Sequence, residues 1–221
     1  SSELLDPSMY SAIRFSICGI IFSPAIFRAI QNQDLLIRGL LVGCTVFIGY
    51  IGQAGGLESA SAGYAAFICS LATVWVAFLE GILSGVFRRQ TWFSVFFAVL
   101  GTAFLELQGG EIPDMNLESL FLLMMPIGFG TGYVALSNLI KRYPDDVEAV
   151  TGLKLGTSGL LCSLWAASNG HHISEIPEIF ANPIAGPGLI YTSVFTTAFA
   201  VWIQSKAFKR VSASDASIIP S

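Results

Sequence analysis

The sequence predicts an all-α integral membrane protein, a multi-spanning helical bundle of two inverted five-helix repeats, and three observations point there. Of the 221 residues, 53% are hydrophobic and 12% charged, about half the roughly 25% charge of a soluble domain. The charges are clustered, leaving long uncharged runs between Arg38 and Glu58, between Glu58 and Glu80, and between Glu118 and Lys141. Each run holds the ~20 residues that a helix needs to cross ~30 Å of hydrocarbon. Finally, the basic clusters fall on alternate connections between the apolar runs, as orientation by cytoplasmic Lys and Arg requires.

Taken in order, the first helix covers residues 9–27 and stops at Arg28; the second, 39–57, lies between Arg38 and Glu58. Residues 60–86 form the third, ending at Arg88 and Arg89, and residues 91–107 the fourth, ending before Glu111, Asp114 and Glu118. The fifth, 119–140, runs into Lys141 and Arg142; the sixth, 150–167, leads to His171, His172, Glu175 and Glu178. A seventh over 188–204 meets Lys206, Lys209 and Arg210, and an eighth begins near Ser212 and is cut off at Ser221. Membrane strands are not expected, because the runs lack period-2 alternation and the ~10-residue length of barrel strands. With the basic connections inside, the first helix runs from outside to inside.

Self-similarity supports a duplication. Residues 53–70 (QAGGLESASAGYAAFICS) align with 204–221 (QSKAFKRVSASDASIIPS), pairing Gln53 with Gln204, Ser61 with Ser212, Ala62 with Ala213, Ala65 with Ala216 and Ser70 with Ser221. Residues 14–23 (RFSICGIIFS) align with 154–163 (KLGTSGLLCS). Both matches set corresponding helices in opposite orientations, the signature of an inverted repeat. On this reading the chain is a fragment covering helices two to eight of ten and the start of the ninth, about seven full helices.

Three segments carry a family resemblance: residues 8–24 (SMYSAIRFSICGIIFSP), 55–67 (GGLESASAGYAAF) running into 70–81 (SLATVWVAFLEG), and 204–216 (QSKAFKRVSASDA). Together they resemble the EamA domain of the drug/metabolite transporter superfamily. The resemblance implies ten helices, both termini cytoplasmic, and a central substrate cavity lined by the first four helices of each half. It also implies a first repeat over residues 1–109 that lacks its first helix and a second over 119–221 truncated within its fourth. One departure is the family's fourth helix, the third of this chain, where a family proline is missing from Val74-Trp75-Val76-Ala77-Phe78-Leu79-Glu80. The superfamily carries amino acids, nucleotide sugars, phosphorylated sugars and drugs.

The expected function is secondary transport of small metabolites by alternating access. The alternatives are a phosphorylated-sugar or nucleotide-sugar exchanger of the same superfamily, and a non-transporting membrane scaffold. Ionisable side chains within spans cost roughly 2.5–3.5 kcal/mol and are functional candidates by default. Arg14 and Lys154, the repeat mates, are the candidates for an anionic group on the substrate, with snorkelling to the nearer interface as the bland alternative. Glu80 is the candidate for proton coupling, against a solvated position near the inner interface; Glu106 is read as interfacial. Tyr50, Gln53, Tyr133, Asn138, Trp202 and Gln204 are the polar and aromatic candidates for substrate binding, against a role in interhelical packing. Thr196 and Thr197 lie in the same class.

Glycines at four-residue spacing, Gly39 and Gly43, Gly52 and Gly56, Gly152 and Gly156, are expected to bring helix backbones close. The run Pro126-Ile127-Gly128-Phe129-Gly130-Thr131-Gly132 is expected to kink or unwind its span.

Enzyme chemistry has no support: there is no H-E-x-x-H, Walker A or G-x-S-x-G pattern, and His171 and His172 read as a solvated loop. No catalytic residue, metal site or cofactor is expected, and a net charge of -4 without basic tracts gives no footprint for nucleic acid. The four cysteines, Cys18, Cys44, Cys69 and Cys162, sit in apolar runs with no C-x-x-C pair. The expected partners are a small-molecule substrate and the lipid bilayer, with a homodimer left open; the localisation is a multi-pass membrane protein of unspecified membrane.

Overall fold

The computed structural model describes residues 6–57, 62–85, 89–106 and 121–209. Among them the regular structure is helical, with no strand. In chain order the helices are α1 Pro7–Ile21, α2 Ser23–Ala29, α3 Gln33–Leu57, α4 Ala62–Ser84, α5 Arg89–Glu106, α6 Met124–Arg142 and α7 Val147–Ser168. A 3₁₀ turn, Ile173–Glu175, and α8 Ile176–Ala181 follow. The last described segment is α9 Ala185–Tyr191, a π-helix Thr192–Phe199 and α10 Ala200–Ala207. Helix is therefore present at each of the seven expected positions. The helix expected from Ser212 lies outside the described residues, as do Glu58, Arg88, Glu111, Asp114, Glu118 and Arg210.

By length and composition, Gln33–Ala54, Ala65–Ser84 and Ala185–Ala207 can each cross a membrane. The pair α1 and α2 makes a fourth span if the two count as one.

Local chemistry sets the ends. Asp6 caps α1 by accepting the Ser8 amide at 2.8 Å, and Pro7 opens the helix where no amide partner is needed. Asn32 does the same for α3, accepting from the Leu35 amide at 3.2 Å. At the end of α7, the Gly170 amide reaches the Ala167 carbonyl and the His171 amide the Ala166 carbonyl, both at 3.1 Å. This Schellman closure places Gly170 at φ +88°, a conformation that favours glycine.

Two expectations need correction. The first span is not one helix over 9–27: α1 ends at Ile21, and α2 leaves it at 70°. The break falls at Phe22, the shared cap of α1 and α2, and the local contribution of Pro24 is that it supplies no amide to the Ile20 carbonyl four residues back. The segment over 188–204 is continuous but wound as π-helix between Thr192 and Phe199. The Thr192 carbonyl there accepts hydroxyls from both Thr196 (2.7 Å) and Thr197 (2.8 Å). The Pro126 to Gly132 run is itself helical within α6, but its span is interrupted at Leu123, between helical residues 121–122 and Met124. Pro126 has no amide for the Leu122 carbonyl four residues back, which accounts for a break at that point, and the glycines are packing sites.

The chain divides into two compact units, Ser1–Cys44 with Leu139–Lys206 (unit 1) and Thr45–Asn138 with Ala207–Ser221 (unit 2).

In unit 1, α1 lies along α7. A Cβ on Gly159 would meet the Phe15 backbone at 2.9 Å, one on Gly19 the Gly156 Cα at 3.1 Å, and one on Gly152 the Phe22 Cβ at 2.8 Å. The residue numbers rise along one helix as they fall along the other, so α1 and α7 are antiparallel. These are the helices that carry the repeat mates Arg14 and Lys154, and their opposed sense is what an inverted repeat demands. The first half of α3 runs parallel to α7, pairing Gly39 with Leu153 and Gly43 with Thr157.

In unit 2, a Cβ on Gly128 would fall 2.4 Å from the Gly49 amide nitrogen and one on Gly52 2.7 Å from the Met124 Cβ, making α3 and α6 antiparallel. α4 runs parallel to α6: Ala65 and Ile68 cluster with Leu122 and Met125, and Trp75 meets Thr131 further along. All four pairings have the sense that the alternating charge pattern predicts.

Candidate functional site

The nine candidate residues divide between the units, and each unit has its own polar chemistry. Arg14, Lys154, Trp202 and Gln204 belong to unit 1; Tyr50, Gln53, Glu80, Tyr133 and Asn138 belong to unit 2.

In unit 1, Lys154 is 5% exposed in the interior of α7, so the snorkelling alternative is not what the side chain does. One turn on, the Thr157 hydroxyl is buried with no hydrogen-bond partner among the described residues. The Ser158 hydroxyl is buried too and sits 2.9 Å from the Lys154 carbonyl and 3.2 Å from the Gly43 carbonyl. Arg14 holds its guanidinium 4.7 Å from the Phe15 ring centroid and 5.1 Å from that of Tyr10, within cation–π range. Further along α1, the buried Cys18 thiol donates to the Ser193 carbonyl in the π-helix at 3.3 Å. Ser16 and Ser163 place their hydroxyls 3.4 Å apart across α1 and α7. Unit 1 thus carries one buried cation, one half-buried cation and several hydroxyls within a few turns of α1 and α7.

Trp202 is differently occupied. Its indole N–H donates to the Glu148 carboxylate at 3.3 Å, and the Lys206 ammonium lies 3.7 Å from its ring centroid. Glu148 also pairs with Lys206 at 3.7 Å. Gln204 is half-buried on α10.

Unit 2 is aromatic. Tyr50 meets Phe129 edge-on at 5.0 Å, and the Trp75 indole N–H donates to the Thr131 hydroxyl at 2.9 Å. Tyr133 approaches Phe208 at 6.5 Å. Gln53 and Glu80 are half-buried, and the Glu80 carbonyl accepts the Ser84 hydroxyl at 2.6 Å. Asn138 is exposed. The Glu106 side chain lies outside the described residues.

Sequence reasoning missed two polar clusters. Asp34 on α3 accepts from Tyr143 (2.6 Å) and Arg38 (2.8 Å) and lies 3.3 Å from Arg142. Its i,i+4 relation to Arg38 was readable; its link to Tyr143 was not. The second cluster corrects the reading of His171 as a solvated loop residue. Its ring is partly buried, with Nδ1 3.0 Å from Glu175 and Nε2 3.6 Å from Asp6. The four-residue spacing of His171 and Glu175 was the available signal. Hydrogen bonding to Glu175 first, and then the charges of Asp6 and Glu175, raise the His171 pKa against the opposing effect of burial. Glu175 is lowered, chiefly by the His172 amide and the His171 ring. For Asp6, burial pushes the carboxyl up, but bonds from Ser8 and Met9 and the nearby His171 outweigh it and leave the group low.

Comparison with known proteins bears on the whole chain. A solved structure titled "Crystal structure of protein" is similar over 98% of this chain and 75% of its own, with a TM-score of 0.75 at 16% identity, a likeness of fold alone. No curated protein matches. The model of the EamA-like transporter family matches twice, over residues 1–107 and 116–221. With two copies of that transporter domain filling nearly its whole length, and three of its described helices long and apolar enough to cross a membrane, the chain belongs to the EamA-like transporter family.

Proposed function

We propose that this transporter is a multi-pass secondary carrier that moves a small anionic metabolite across the lipid bilayer by alternating access. The observation that carries the reading is the burial of Lys154 within α7, in the same compact unit as Arg14 on its repeat mate α1. A cation kept in an apolar span is costly and is retained where it works. A carboxylate or phosphate is its natural ligand, and the buried Thr157 hydroxyl supplies a further donor one turn away. Gln204 adds amide donors and acceptors in the same unit. Within unit 2, Tyr50, Gln53, Tyr133 and Asn138 are the candidates for contact with substrate, and Glu80 is the candidate for coupling proton movement to transport.

Uptake by proteoliposomes of the purified protein tests the reading, against a panel of amino acids, sugars and phosphorylated metabolites with and without a pH gradient. Saturable uptake confined to anionic compounds, lost in Lys154→Met and weakened in Arg14→Gln, is the expected result. A neutral substrate, or uptake unchanged in both variants, overturns the anionic reading, and no uptake of any compound favours a scaffold. Uptake confined to phosphorylated sugars points to the sugar-phosphate exchange branch. Retention of pH-gradient dependence in Glu80→Gln removes the coupling role.

A further inference from the structure

Where α1 begins and α7 stops, unit 1 is tied by polar side chains in addition to the buried Met9 and Ala166. Asp6 caps α1 through the Ser8 amide, and the Ser8 hydroxyl shares the same carboxylate oxygen. The Asn169 amide group, at the cap of α7, donates to the Ser8 hydroxyl at 3.3 Å. The Schellman closure at Gly170 fixes the His171 backbone, and the 3₁₀ turn brings Glu175 back so that one carboxylate oxygen takes the His172 amide at 2.8 Å. Its other oxygen is the one beside His171 Nδ1. The imidazole therefore lies between two carboxylates, one ahead of α1 and one beyond α7.

A carboxylate accepts hydrogen bonds and does not donate them, while a neutral imidazole carries a single N–H. Neutral His171 can bond Glu175 at 3.0 Å but carries no charge to attract Asp6, whose carboxylate lies 3.6 Å from Nε2. Only the protonated ring donates to Glu175 and also presents a positive charge to Asp6.

We infer that His171 is a proton-operated catch: as imidazolium it ties Asp6 to Glu175 and holds the start of α1 against the end of α7, and on losing its proton it lets that end open. The charged groups acting on His171 among the described residues are Asp6 and Glu175, and His172 acts in turn on Glu175. Because His171 is raised above its ordinary 6.5, its contribution is complete below about pH 6.5 and is lost as pH rises through the folded value. Glu175 is lowered from 4.5, so its contribution is present above about pH 4.5 and disappears only as pH falls through its own folded value. The catch is closed between these limits and opens on the alkaline side. Its place among the acidic connections puts it on the outer face.

Hydrogen exchange of the purified protein in detergent, read at the amides of residues 8–14 between pH 5.5 and 8.5 and corrected for intrinsic chemistry, tests the inference. Wild-type protection of this turn is expected to fall with rising pH, by up to about tenfold per unit of pKa shift. His171→Gln is expected to be weakly protected with no pH response, and His172→Gln to behave as wild type. Glu175→Gln keeps an acceptor but removes a charge, so its transition moves to lower pH. A flat wild-type profile, a pH response that survives in His171→Gln, or an unmoved transition in Glu175→Gln overturns it.

Discussion

The indole N–H of Trp75 on α4 donates to the hydroxyl of Thr131 on α6 at 2.9 Å, joining two helices of unit 2. The bond depends on a missing side chain, since a Cβ on Gly130 would fall 2.7 Å from the Trp75 ring. Thr131→Val preserves the shape and leaves the indole N–H without its acceptor. It is expected to lower stability by about 1 kcal/mol, the usual worth of an interhelical hydrogen bond. Trp75→Phe should lose more through packing, and the double variant should lose less than the two singles together. Unfolding titrations in mixed micelles measure all three, and simple additivity would show that the bond contributes nothing.

Glycine positions offer a sharper contrast. A Cβ on Gly43 would sit 2.4 Å from the Thr157 Cβ, whereas one on Gly101 in α5 meets nothing within 4 Å. Gly43→Ala must spread α3 from α7 and should cost about 1–3 kcal/mol, the range for overpacking. Gly101→Ala should leave stability equal or up to about 1 kcal/mol higher, because alanine is the better helix former. Thermal unfolding of the two variants side by side separates crowding from a general effect of added methyl groups.

What the sequence made legible was organisation at the scale of whole helices. Arg14 and Lys154 were paired by a weak repeat, and the antiparallel contact of α1 with α7 follows that pairing. Charge clustering and helix orientation are properties of long segments, and averaging over many residues makes them robust. Breaks within helices are set by one or two residues and their neighbours, and here the break before α2 was not foreseen. α1 gives way to α2 at Phe22, two residues before Pro24, and the helical run leading into α6 is interrupted at Leu123, three residues before Pro126. The π-helix had no readable periodic signal, although its cluster of Thr and Ser hydroxyls is what takes up its carbonyls. For the candidate site, residue type was legible for Lys154 and misjudged for His171, whose setting depends on Asp6, far away in sequence.

Asp34 gives a test of surface electrostatics. It bonds to Tyr143 and Arg38 and lies near Arg142, and all the ionic partners are about half exposed. Exposed ion pairs are weak and screened by salt, whereas the phenol bond is a short neutral-to-ion contact. Arg38→Gln should therefore lower the unfolding temperature slightly at low salt and not at all in 1 M salt. Tyr143→Phe should lower it by the larger amount, similarly at both. The reverse ranking would place the strength of the cluster in its ion pairs.

The bend between α1 and α2 is the last relationship with a decisive test. Pro24 lies in the first turn of α2, where the lack of an amide costs little, and the Phe22 carbonyl already accepts from Ala25 and Ile26 at 3.0 Å. Both flanks of the bend are seated on one residue of α7: a Cβ on Gly152 would lie 2.8 Å from the Phe22 Cβ and 2.9 Å from the Ile26 Cγ1. A 70° turn is far beyond what defines a sharp kink, roughly 20°, so packing on Gly152 must hold it together with the local chemistry. Pro24→Ala should leave the bend in place and change stability by less than about 1 kcal/mol, while Gly152→Val should destabilise by about 1–3 kcal/mol. Spin labels at the exposed positions Ile20 and Phe27 in a cysteine-free background read the angle directly. Pro24→Ala is expected to keep the wild-type distance distribution and Gly152→Val to broaden it. A shift to the straight-helix distance in Pro24→Ala assigns the bend to proline alone.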